Sequence, residues 1–163
     1  VEIGRLIALT GLTGLVGTFL GGWLADRMKG ARQDVRWLMW VPGAATLMVI
    51  PVQFVAYLGS GMAMVAALAL SSLLSLVYFG PSYATMQAVA RPHMRAVSAS
   101  VLLASKAIIG MAAGPVLVGF ASDLLAPAFG AQSLRLGLLL VPLFNLWATV
   151  HFFIGARHLR REL

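Results

Sequence analysis

Long apolar runs, separated by short clusters of charge and turn residues, divide the chain into Ile3–Ala25, Trp37–Leu58, Met62–Val89, Val97–Leu125 and Leu134–Ala156. Crossing a hydrocarbon core of roughly 30 Å takes about 20 residues at 1.5 Å rise each, so every run is long enough to span a bilayer as a helix. The pattern predicts an all-α membrane protein with about five transmembrane helices, forming one membrane domain over residues 1–163. The third and fourth runs, at about 42 Å each, exceed the core thickness and must tilt or bend. Each carries a Gly-Pro pair, Gly80-Pro81 and Gly114-Pro115, where a missing backbone donor permits a kink or hinge.

Composition agrees with lipid as the main solvent. Apolar residues make up 60% of the chain and charged residues 10%, with a mean hydropathy of +0.91, too apolar for a soluble domain. The net charge of +7 is explained by position. Nine of the twelve Lys and Arg lie in three places, Arg27, Lys29, Arg32 and Arg36, then Arg91 and Arg95, then Arg157, Arg160 and Arg161. Alternating helices bring those three places to one membrane face. The opposite connections, 59–61 and 126–133, carry no basic residue. By the positive-inside tendency the basic face is cytoplasmic, which predicts a multi-pass cell-membrane protein with its carboxyl terminus inside. The charge therefore calls for no nucleic acid; the lipid bilayer is the expected partner, with headgroup contact as an added role. The absence of cysteine excludes disulfides and thiolate chemistry. No basic region precedes the first apolar run, so a signal peptide is not expected, and a fragment of a longer protein is.

Glycines recur at helical spacing along Gly11, Gly14, Gly17 and Gly21, and again along Gly110, Gly114 and Gly119. Such faces allow close backbone approach, either for fixed packing or for sliding. Laid over one another, residues 17–27 and 114–124 match at Gly17 and Gly114, Leu20 and Leu117, Gly22 and Gly119, and Asp26 and Asp123. The two segments run in opposite directions across the membrane, as in inverted transporter repeats.

The stretch Gly22-Trp-Leu-Ala-Asp-Arg27-Met-Lys-Gly-Ala-Arg32 resembles the loop signature of the major facilitator superfamily. The longer run from Phe79 through Arg91-Pro-His-Met-Arg95 to Gly110–Asp123 looks most like its spinster-like branch. That resemblance implies helices eight to twelve of twelve, two six-helix bundles rocking about a central cavity, and an amino-terminal half as partner. It also implies that Gly22, Asp26, Arg27 and Arg32 form a cytoplasmic gate loop, in which the Asp26 carboxylate meets the positive end of a helix in the other bundle; the alternative is a solvated charged turn.

Lys106 lies nine residues into its run, about 14 Å from the end. An ammonium there costs several kcal/mol, so it should face protein or water and have a partner. Three roles stay open: binding an anion or coupling ion, pairing with an acid elsewhere, or snorkelling. Ser71, Ser75, Tyr78 and Ser82 form a stripe continuing to Tyr83 and Gln87; they suit a substrate path or, individually, hydrogen bonds within the helix bundle. Thr10 and Thr13 are weaker candidates, Glu2 and Arg5 could pair at the outer entrance, and Gln53, Asn145 and His151 suit interhelical hydrogen bonds. The acids are scattered at run ends, with no metal cluster, paired carboxylates or nucleophile motif, which argues against an enzyme and for no cofactor or metal. The expected activity is movement of a small organic solute, anionic or amphiphilic and lysolipid-like by resemblance, by alternating access; the alternative is a non-transporting scaffold or inactive truncated transporter.

Overall fold

The computed structural model describes residues 2–162, with side chains described for 3–159. The expected Glu2–Arg5 pair and the side chains of Arg160 and Arg161 lie outside the described residues. Among the described residues the chain is helical throughout, without strands. The helices are α1 (Glu2–Arg32), α2 (Trp37–Leu58), α3 (Gly61–Leu76), α4 (Phe79–Val89), α5 (Arg95–Ser105), α6 (Gly114–Phe129), α7 (Ser133–Gly137) and α8 (Leu140–Glu162). A π-helical stretch, Lys106–Ala113, joins α5 to α6.

Four stretches are long and apolar enough to cross a membrane, ending with the 68 residues Pro92–Leu159. That last stretch would span about 100 Å if straight. It doubles back at Gly130, whose φ of 52° suits glycine, so that α7 runs antiparallel to α6. A Cβ on Gly137 would lie 2.9 Å from the Val118 carbonyl oxygen, and the Ser122 and Ser133 hydroxyls meet at 3.1 Å. The chain therefore has five arms within these four stretches.

Prolines set the breaks. A proline lacks the donor for the carbonyl four residues back and its ring crowds that carbonyl. The third arm opens at Val77 and Tyr78, four and three residues before Pro81, and the fifth at Leu138 and Leu139, just before Pro142. Ahead of Pro115 the fourth arm adopts the wider π turn instead. Pro42 and Pro51 stay inside α2 without a break; Thr46 donates to the Pro42 carbonyl at 2.7 Å.

One sequence expectation is corrected here. Gly22, Asp26, Arg27 and Arg32 are not in a loop, because α1 continues to Arg32 with Lys29 and Arg32 in its last turn, where cations complement the helix dipole. The turn begins at Gln33, with φ of 50°, and the Asp34 amide closes it on the Lys29 carbonyl. Asp34 then accepts from the Arg36 backbone amide at 3.0 Å and from its guanidinium at 2.6 Å. That hydrogen bond is the chief reason the Arg36 pKa is raised.

The core sits at this end of the bundle. Ala25, Leu38, Val41, Ala45, Val77 and Leu159 are buried together, so the end of α8 lies beside the end of α1 and the start of α2. The basic ends of the first and fifth arms thus share one face. Elsewhere, large apolar side chains such as Ile7, Phe19, Ile109 and Trp147 are exposed, as a membrane protein requires.

Candidate functional site

The break before Pro81 shapes the most distinctive polar and aromatic grouping. It starts α4 at Phe79, between Tyr78 and Tyr83. The Tyr78 ring meets Phe79 edge-on at 6.3 Å, and Tyr83 lies 6.4 Å away on the same helix. Thr85 stitches α4 by donating to the Pro81 carbonyl at 2.9 Å. This repeats the Pro42–Thr46 arrangement, and the shared Pro-x-x-x-Thr spacing is a signal that sequence reasoning passed over.

Lys106 reaches this group from the first residue of the π stretch. Its Nζ lies 4.2 Å from the centre of the Phe79 ring, a cation–π contact. The ammonium makes no ion pair among the described residues, where Arg36–Asp34 is the salt bridge formed. Phe79 is therefore the residue that sequence reasoning missed: an apolar side chain in an apolar run carries no sign that a cation will stack on it.

The remaining candidates separate into satisfied and unsatisfied groups. Thr13 donates to the Leu9 and Thr10 carbonyls at 3.0 and 3.1 Å, and Thr10 likewise bonds its own helix. Ser71 is buried. Ser72, outside the expected stripe, donates to the Thr10 carbonyl at 2.6 Å and ties α3 to α1. Ser75, Tyr78, Ser82, Tyr83 and Gln87 are half-buried and, among the described residues, make no side-chain hydrogen bond. Asn145 donates to the buried Gln53 at 2.8 Å, joining α8 to α2, whereas His151 bonds back to its own helix at Trp147.

Gly22 packs against Gly80, since a Cβ on Gly80 would sit 3.1 Å from the Gly22 Cα. Asp26, Arg27 and Arg32 are exposed at the basic end, with Arg27 over the Trp23 ring. Gly110 and Gly119 face open space, and Gly114 touches nothing beyond its own helix; Pro115 is exposed beside it. Among the described residues no three His, Cys, Asp or Glu side chains gather as metal ligands would. The arrangement offers a half-buried cation on an aromatic face, with hydroxyls that are unbonded among the described residues on the arm of Phe79.

No family model matches the chain, and no solved structure matches it. It is 35% identical over 156 residues, 94% of its length, to a protein of Mycolicibacterium smegmatis described as an MFS-type efflux pump. The chain spans 36% of that relative's length.

Proposed function

We propose that this chain is the carboxyl-terminal part of a major facilitator secondary transporter, which moves a small organic solute by alternating access, completed by an amino-terminal half. The likeness to an efflux pump favours outward movement, and the basic face favours a cytoplasmic carboxyl terminus. The observation that carries the site is Lys106 over Phe79. A ring face returns about 0.5–2 kcal/mol, against several kcal/mol for an ammonium at membrane depth. An anionic group on the cargo would supply the difference, with Tyr78, Tyr83, Ser75, Ser82 and Gln87 as hydrogen-bonding partners along the path. An amphiphilic anion, lysolipid-like as the spinster-like motif suggests, suits an aromatic wall beside a cation.

The test uses the complete protein in cells loaded with fluorescent organic anions, organic cations or a labelled lysophospholipid. Lys106→Ala should reduce anion efflux at least about tenfold at unchanged membrane abundance, the cost of one charge-assisted contact. Lys106→Arg should retain part of it. Normal anion efflux by Lys106→Ala overturns the assignment.

A further inference from the structure

A second site lies away from Lys106, at the basic end, and is independent of the transport reading. A cavity of about 350 Å³ runs between α1 and α2, floored by α3. Its walls are apolar: Leu24 and Met28 on α1, Ala44 and Met48 on α2, Leu73 on α3. From Trp37 to Met48 the groove follows eleven residues of helix, about 16 Å. That is close to half of a hydrocarbon core of roughly 30 Å, the depth of one lipid leaflet. The groove also opens sideways, since Leu24 and Met48 at its lips are 41% and 61% exposed.

Its mouth differs from its walls. Trp37 and Trp40 line it, with ring centres 5.3 Å apart and nearly perpendicular. Neither indole N–H has a hydrogen-bond partner among the described residues, as for a donor placed where lipid headgroups begin. The Arg36 guanidinium stacks 4.6 Å over Trp40. Asp34 engages its Nε and Nη2, which holds the stack in place, and among the described residues Nη1 has no hydrogen-bond partner. Arg32 is exposed in the last turn of α1, at helical spacing from the lining residue Met28. An apolar slot one leaflet deep, opening beneath indole donors and arginines, complements one acyl chain below an anionic headgroup.

We propose that this groove is a specific binding site for an acidic phospholipid from the leaflet at the basic face. One acyl chain lies along Leu24, Ala44 and Met48, and the phosphate meets Arg32, Arg36 and the two indole N–H groups. The groove floor includes Val77, the residue at which the third arm breaks, so an occupied groove braces that break.

The experiment adds dioleoylphosphatidylglycerol or dioleoylphosphatidylcholine to the complete, detergent-purified protein. Bound lipid is counted by native mass spectrometry, and the thermal midpoint is followed with each lipid. The phosphatidylglycerol should bind in preference, as a discrete adduct, and raise the midpoint. Ala44→Trp, which fills the slot, should remove both effects. Arg32→Gln, an exposed change that leaves the fold intact should Ala44→Trp not fold, should weaken the preference about fivefold. Equal binding of the two lipids, or a preference that Arg32→Gln leaves unchanged, overturns the proposal. So does the absence of any adduct, which is the outcome if another helix of the longer protein closes the groove.

Discussion

Along α1, Gly14, Gly17 and Gly21 face α3 so closely that a methyl group on Gly17 or Gly21 would run into the backbone carbonyl of Leu73 or Val77. Along the fourth arm, Gly110 and Gly119 would accept a methyl group with nothing near it. The two glycine rows have similar spacing, and one matches the other residue for residue at Gly17 and Gly114 and at Gly22 and Gly119. What differs is the neighbour. The first row is already spent on backbone contact within this chain, while among the described residues the second has no such contact. Small-residue spacing therefore grants permission for close approach without naming the partner. The burial of the arms differs in the same direction: 11% of the most apolar part of α1 and 17% of that of the third arm are buried, and none of that of the Pro92–Leu159 stretch.

The sharpest way to break this comparison is to add the same atom to both rows. Gly17→Ala and Gly21→Ala force α1 and α3 apart, and each should cost about 3 kcal/mol or more, at the upper end for overpacking. The expected reading is a large fall in thermal midpoint and in membrane abundance. Gly119→Ala adds a methyl group to open space and removes a flexible residue from a helix, which should be neutral or stabilising by up to about 1 kcal/mol. If Gly119→Ala costs as much as Gly17→Ala in the complete protein, the second row is packed there as tightly as the first, and the contrast belongs to this chain alone.

Much of this architecture was legible in the residues. The all-helical membrane architecture was readable because lipid imposes a length and a composition on each apolar run, and α2 runs from Trp37 to Leu58 as the pattern has it. Irregular helix ahead of Pro81 and Pro115 was readable, as turns at 77–78 and the π stretch Lys106–Ala113, since proline's missing donor acts through local geometry alone. Helix ends were less so. Asp26 looks like a turn residue, yet α1 runs six residues past it to Arg32, because a charged residue at a membrane surface is as content in a helix as in a loop. The candidate site was half legible. Lys106 stands out by its charge, but its contact with Phe79 depends on how two bent arms meet, and no periodicity within either arm encodes that. The same holds for the lipid groove, whose walls come from three helices.

A smaller effect tests how α8 is held. The Gln53–Asn145 bond joins two helices at a buried point, as Ser72–Thr10 does for the packed glycine row. Gln53→Leu and Asn145→Leu should each lower stability, and a double-mutant cycle should return a coupling of about 1 kcal/mol, above the average of about 0.6 kcal/mol for hydrogen bonds between membrane helices because Gln53 is buried. A coupling near zero would mean that apolar packing alone holds α8 on α2.

The finest probe compares two serines, one packed against the first glycine row and one on the arm that carries the second. Ser72 donates across to the Thr10 carbonyl of α1 at 2.6 Å, whereas Ser100 donates at 3.0 Å to Ala96 in its own helix. The Thr10 carbonyl already accepts from Thr13, so Ser72→Ala leaves no orphaned acceptor and removes only the interhelical bond. The expected loss is about 0.6 kcal/mol, the average for such bonds in a membrane protein. Ser100→Ala gives up a bond that a helix makes to itself, with no second helix released, and should change stability by less than about 0.5 kcal/mol in either direction. Both variants read out as unfolding midpoints in the same detergent, so the difference between them isolates what the packed row gains from a hydroxyl that crosses it. Equal losses would show that the hydroxyl serves its own helix at both places, leaving the glycines of α1 to hold the contact through backbone approach alone.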